Sequence, residues 1–197
     1  GYDMVTRSDA FETASAFEAA IRKGDLHLQI IPAWDYLKMD LSEFTEPYFV
    51  AVDEGGVLED YALLTRQASG INTLADLRGR SVALLESANA YSARPWIETV
   101  LLAHGLGRPE DFFGRVEVVS KPSLAVLPVF FGKHPACVVD RSGFQIMKDL
   151  NPQIGQRLLI LLSSEPLLGA VFCLQKAVLI DLMASLPAFS RNLCLVL

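Results

Sequence analysis

Three places in the sequence gather residue types suited to holding a small molecule, and each follows an apolar run. Trp34, Asp35 and Tyr36 come after Leu26–Ile31. Glu86, Ser87, Asn89, Tyr91 and Ser92 come after Ser81–Leu85, with Arg94 close behind. Asp140, Arg141 and Ser142 come after Ala136–Val139. Aromatic faces, hydroxyls, an amide and guanidinium groups make a recognition set rather than a core set. In α/β proteins, ligands lodge beyond the carboxyl ends of parallel strands. The second cluster also leads into a helix, whose first free N–H groups favour an anion. The same side chains serve as helix caps and turn formers, a role compatible with binding.

Signatures of covalent chemistry do not accompany these clusters. The sequence contains no G-x-G-x-x-G, Walker loop, G-x-S-x-G, H-E-x-x-H or C-x-x-C. His134 and Cys137 have no second ligand pair beside them, so no metal site is expected there. His27 and His104 read as structural, and His104 before Gly105 suits a helix C-terminus. Acid–base catalysis needs two titratable groups brought together, and no such pair is recognisable. The expectation is binding without turnover, with no cofactor.

The elements that must carry these clusters follow from periodicity and punctuation. Asp9 is positioned to cap a helix over Phe11–Lys23, with apolar residues at helical spacing and Gly24 as its stop. Short apolar runs predict strands at Leu26–Ile31, Phe49–Val52, Tyr61–Thr65, Ser81–Leu85, Val116–Val119, Ala136–Val139, Leu158–Leu162 and Ala170–Leu174. Asp53-Glu54-Gly55-Gly56 is a turn cluster. Thr73–Leu77 is one helical turn. Pro95 starts a helix to His104, Pro109–Phe113 is a short turn of helix, and Ser123–Phe131 is another helix. Ser142 caps a helix to Leu150, and a last helix covers Val178–Leu186. Strands alternating with helices, several of them continuously apolar, predict an α/β protein with mainly parallel sheets.

Composition bounds the partners. Of 197 residues, 51% are hydrophobic and 20% charged, which excludes an intrinsically disordered chain. The net charge of -6 and the lack of a basic stripe argue against nucleic acid as a partner. A small anion stays compatible, because a few local donors suffice. Cys137, Cys173 and Cys194 lie in apolar surroundings and read as buried thiols. No apolar run reaches transmembrane length, and no basic segment followed by an apolar one opens the chain. The apolar end Leu193–Leu197 reads as a stop short of the gene product's own end.

Several segments, in collinear order, resemble a known family. Thr73-Leu-Ala-Asp-Leu-Arg-Gly-Arg-Ser-Val-Ala-Leu84 resembles the segment that opens the second lobe of type II periplasmic binding proteins. Ala20-Ile-Arg-Lys-Gly-Asp-Leu-His-Leu28, followed by Pro32-Ala-Trp-Asp-Tyr-Leu37, is similar to a stretch of the phosphate, phosphite and phosphonate branch of ABC-transporter solute receptors. Pro109-Glu-Asp-Phe-Phe113, Val129–Asp140 and the crossover-like Ser163-Ser-Glu-Pro-Leu167 resemble further parts of that branch. The family's first strand and helix are missing or shortened before Tyr2. A Ser-Thr-Ser run grips phosphonate oxygens in that family, and Ala88-Asn89-Ala90 stands in its place, with a bulky Tyr91 after it.

The resemblance implies two α/β lobes with a cleft between them. Residues 1–72 and 163–197 would form the first lobe and 73–162 the second. It implies an extracytoplasmic receptor that closes by a hinge on an anionic small molecule and delivers it to the membrane permease of an ABC transporter. Tyr36 would line the first-lobe wall. Asn89, Tyr91 and Ser92 would face the ligand, and Asp140 would meet a ligand's cationic end. Two other functions fit such a fold: a sensory input domain of a signalling protein, or an enzyme on a small carboxylate with Asp140 or Glu86 as base.

Overall fold

The computed structural model describes residues 7–11, 13–50, 57–87, 90 and 92–178. Its contacts divide the described chain into one unit of residues 7–31, 35–50 and 171–178 and another of residues 32–34 and 57–170.

In the first unit, α1 (Ala14–Lys23) is capped by Thr13, whose hydroxyl accepts the Ala16 N–H at 3.2 Å. The cap is thus Thr13 and not Asp9, because a side-chain oxygen must lie within three residues of the N–H it satisfies. Gly24 ends the helix in the left-handed region at φ 83°, where a glycine carries no Cβ penalty. Strand β1 (Leu28–Pro32) leads directly into α2 (Ala33–Met39), and β2 (Thr45–Val50) follows. These strands form a three-stranded sheet with the last described strand, β10 (Ala170–Gln175), in the centre. Strands β10 and β2 run antiparallel.

The second unit begins with the short strand β3 (Leu58–Glu59) and β4 (Tyr61–Arg66). A single 3-10 turn over Leu74–Leu77 is closed by a capping box, in which the Asp76 carboxylate accepts the Thr73 N–H at 2.9 Å. Then come β5 (Ser81–Leu85), α3 (Ala93–Ala103), α4 (Pro109–Phe112), β6 (Arg115–Val119) and α5 (Pro122–Phe130). Next are β7 (Ala136–Asp140), α6 (Arg141–Leu150), α7 (Pro152–Arg157), β8 (Leu158–Ser163) and β9 (Leu167–Leu168). The main sheet has five strands in the order β6-β5-β7-β4-β8, and β3 pairs with β9 in a separate two-stranded ribbon.

The α/β alternation expected from sequence is present, but the main sheet is mixed rather than mainly parallel. Strand β5 is parallel to β6 and β7, whereas β4 is antiparallel to both β7 and β8. An apolar run such as Tyr61–Thr65 records burial on both faces and carries no sign of direction. Strand β4, expected in the first lobe, lies inside this sheet. All of Tyr61–Thr65 is buried, which a strand between two neighbours satisfies. Helices α3 and α5 pack on the sheet, and Leu64, Leu84, Ile97, Leu101, Val126 and Val138 form its core.

The cap of α6 is Asp140, whose carboxylate accepts the Gly143 N–H at 2.6 Å and the Ser142 hydroxyl at 2.7 Å. Ser142, which the sequence offers as the cap, is instead the second residue of the helix and reinforces the cap. The turn expected at Asp53–Gly56, residues 179–186 of the last expected helix, and Cys194 lie outside the described residues.

Candidate functional site

The parallel strands β5 and β7 end side by side, so the junctions β5–α3 and β7–α6 meet at one edge of the second unit's sheet. Because β4 is antiparallel to β7, its first residue lies at this edge too: Tyr61 pairs with Asp140. Strand β8 ends here for the same reason, and the Ser164 hydroxyl accepts the Tyr61 N–H at 2.8 Å. Two of the three clusters expected from sequence are therefore brought together.

At the β5–α3 junction, Glu86 N–H bonds to the Val119 carbonyl at 2.9 Å, and the Ser87 carbonyl accepts the Ala90 N–H at 3.0 Å. Ser92 is buried and precedes α3. Its carbonyl accepts the Trp96 N–H at 2.9 Å, while its side chain makes no capping bond. Pro95 has no N–H, so the first turn of α3 offers at most the N–H groups of Ala93 and Arg94 to an anion. Asn89 and Tyr91 lie outside the described residues.

Arg94 is not an unengaged cation. Its guanidinium hydrogen-bonds Glu86 and also Glu110, the latter at 2.7 Å. Burial works against its charge, but the two carboxylates outweigh that and raise its pKa. Glu110 in turn is held below the usual carboxylate range, chiefly by a backbone hydrogen bond and then, against slight burial, by Arg94. The other arginine, Arg141, pairs with Asp60 at 2.9 Å, and its N–H bonds to the Asp60 carbonyl at 2.8 Å. Asp140 and Ser142 are engaged in the α6 cap described above. The edge thus carries Glu59, Asp60, Glu86, Glu110 and Asp140 against Arg94 and Arg141.

The first cluster is divided. Trp34 stays with the second unit and is 45% exposed. Its neighbour Ala33 donates its N–H to the Gly169 carbonyl at 3.0 Å. Asp35 and Tyr36 belong to the first unit. Burial raises the Tyr36 pKa, helped by Cys173, Glu46 and Asp40.

Sequence reasoning passed over Tyr61. It is wholly buried, its O–H donates to Glu59, and its oxygen accepts the Ser92 N–H at 3.1 Å. Its ring stacks on Trp96 with centroids 6.2 Å apart. The available signal was a tyrosine opening an otherwise aliphatic strand, since a buried phenol calls for polar partners.

Cys137, Cys173 and His104 take the structural places expected of them. Cys137 and Cys173 are free and buried, and burial raises both thiol pKa values, that of Cys173 to about 11. His104 caps the C-terminal end of α3, with Nδ1 2.8 Å from the Val100 carbonyl. His134 Nε2 lies 3.6 Å from the Glu117 carboxylate. Among the described residues no His, Cys, Asp and Glu group is arranged to hold a metal, and no helix is long and apolar enough to cross a membrane. A shallow groove of about 760 Å³ runs along α6, α7 and β8, away from the strand ends, and is lined by Phe144, Lys148, Pro152, Leu158 and Ile160.

Solved structures share this fold. XAC2383 from Xanthomonas citri, bound to ATP, matches with a TM-score of 0.63 and 16% identity, over 82% of this chain and 62% of that one. A binding protein component of an ABC phosphonate transporter from Pseudomonas aeruginosa gives 0.55 and 13%, over 91% and 58%. PhnD1 from Prochlorococcus marinus, in complex with methylphosphonate, gives 0.53 and 15%, over 82% and 61%. The chain therefore spans about three fifths of the length of these structures. Among curated proteins, none matches the chain. At the level of sequence, residues 7–189 match the family described as ABC transporter, phosphonate, periplasmic substrate-binding protein. The match covers most of the chain, both units and the strand-end junctions included, and by it the chain belongs to the phosphonate-binding family of periplasmic substrate-binding proteins.

Proposed function

We propose that the chain is the ligand-binding part of an ABC-type uptake receptor for a small oxyanion of the phosphonate or phosphate class. It would act outside the cytoplasm, with a membrane permease as its partner. The observation that carries this reading is the meeting of the β5–α3 and β7–α6 junctions at one sheet edge, in a chain of this family. The anion would lie at the start of α3, against the N–H groups of Ala93 and Arg94, where the partial positive charge of the helix end favours it. Ser87, Ser92 and the undescribed Asn89 and Tyr91 complete that candidate set. Trp34, Asp35 and Tyr36 remain candidates from the segment preceding it, and Asp140, Arg141 and Ser142 from the β7–α6 junction. Binding leaves the ligand unchanged, so the protein is no enzyme in this reading.

Titration calorimetry and thermal unfolding with methylphosphonate, phosphate, phosphite and a small sulfonate test it. Saturable heat with at least one of them is expected, together with a melting temperature that rises with its concentration, as mass action requires. No heat and no rise with any of the four at millimolar concentration would refute the reading.

A further inference from the structure

A phenol removed from water needs partners for its proton and its lone pairs, and those of Tyr61 define a path through the second unit. On one side its oxygen accepts the N–H of Ser92, the residue before α3, at 3.1 Å, and its ring lies on Trp96 of that helix. On the other side its O–H donates to Glu59. Glu59 sits on β3, opposite Leu167 of β9. Its carboxylate is packed so closely on Gly169 that a methyl group there would overlap it. The Gly169 carbonyl in turn takes the Ala33 N–H at 3.0 Å, and Tyr61 and Ser164 bond each other through both backbone groups of Tyr61, each at 2.8 Å.

The path has a physical beginning and end. In sequence the chain passes between the units after Ile31, Trp34, Val50 and Ala170, and residues 32–34 and 164–169 of the second unit adjoin three of these four crossings. The other end is the turn that opens α3, where the anion is placed above. The path also has one polarity. Burial, and next the hydrogen bond to Glu59, raise the Tyr61 pKa far above the ordinary phenol value, so its proton stays in place as the donor to Glu59. Ser92 N–H is consequently occupied and is not a ligand donor.

We propose that Glu59 and Tyr61 are positioning residues that tie the first turn of α3 to the connecting segments 32–34 and 164–169, so that filling the anion site and ordering those segments are coupled. The proposal rests on the binding reading above. Neither residue touches the ligand in it. Tyr61 acts through Ser92, and Glu59 acts through Tyr61.

The experiment is amide hydrogen exchange on the full chain for wild type, Tyr61→Phe, Glu59→Ala and Glu59→Gln, with and without millimolar methylphosphonate, alongside calorimetry. Tyr61→Phe keeps the ring stack, and Glu59→Gln keeps an acceptor oxygen. Without ligand, exchange at Ser92 is expected to speed by roughly tenfold or more in Tyr61→Phe and Glu59→Ala, the response to a lost local hydrogen bond. Glu59→Gln should stay near wild type, and β5 and β7 amides should be unchanged. With ligand, wild type should show slower exchange at 164–169. Tyr61→Phe and Glu59→Ala should lose that slowing and bind about tenfold more weakly. A bare structural role would lower the melting temperature without moving these local readouts.

Retained ligand-induced slowing at 164–169, with affinity within twofold of wild type in both variants, overturns the proposal. If wild type binds no anion, the binding reading fails by itself, and the ligand-free data still decide: an unaltered Ser92 in Glu59→Ala removes the positioning role. Should Tyr61→Phe not fold, the Glu59→Ala and Glu59→Gln pair reads the same quantity.

Discussion

Arg94 illustrates how a side chain's partners, rather than its type, decide what it can offer a ligand. A guanidinium bound by Glu86 and Glu110 must exchange a carboxylate for an incoming anion. Glu110 is the more exposed of the two acids, so its pairing is worth little. Glu110→Gln should therefore tighten methylphosphonate binding by about two- to fivefold, an effect that shrinks as salt is added. Calorimetry at two ionic strengths checks both signs. Asp76 shows the opposite use of a carboxylate. Backbone N–H groups of Asn72 and Thr73, and then the Thr73 hydroxyl, lower its pKa below the ordinary 3.8. A depressed folded-state pKa stabilises the fold above the unfolded value and is lost as pH falls through the folded one. Asp76→Asn should accordingly lower the melting temperature at pH 7, with the gap to wild type closing as the solution is taken well below pH 4. Equal gaps at both ends of that range would refute the assignment.

The β7–α6 junction shows the same economy at the scale of an element. Helix α6 has a cap, a hydroxyl bonded to the cap and a glycine at the third position, all within four residues of one strand end. The glycine is required by space. A methyl group on Gly143 would sit 2.7 Å from Pro122 Cγ and 2.8 Å from Asp140 Oδ2. Gly143→Ala should cost about 1–3 kcal/mol by overpacking, read in urea unfolding, and should disturb the cap that orients Asp140. Asp140→Ala removes the cap itself and should cost about 1 kcal/mol. That variant separates stability from binding: a loss of affinity beyond the small loss of stability assigns Asp140 a ligand contact, and unchanged affinity confines it to capping.

At the scale of the whole molecule, buried apolar side chains are spread unevenly among the described residues. The continuous core runs from Tyr61 to Leu158 and lies within the second unit. Among the described residues, the buried apolar ones of the first unit are fewer: Ile21, Ile31, Leu41, Val171 and Cys173. Amides of β4, β5 and β7 should exchange only by global opening, and those of β1, β2 and β10 by a cheaper local one. Equal protection in both units would contradict this. Leu64, wholly buried on β4 between two neighbouring strands, should cost about 2–5 kcal/mol when replaced by alanine. That loss should appear in the unfolding of the second unit.

What the sequence by itself determined is local in origin. Apolar runs and their punctuation located Ser81–Leu85 to the residue and most other elements to within a few, because period and breaker residues act over a handful of positions. The family was legible in several collinear segments taken together, from Ala20–Leu28 to Ser163–Leu167, since each of them too is contiguous. Strand order and direction were decided only in three dimensions. An apolar strand buried on both faces reads alike in either direction, and only the fold sets β4 antiparallel between β7 and β8. The partners of charged and polar groups were hidden for a related reason. Tyr61 and Ser92 lie 31 residues apart, Arg94 and Glu110 16. Only the folded sheet brings such groups within hydrogen-bond distance, and it is those meetings, not the residue types, that set which donors at the start of α3 are left for a ligand.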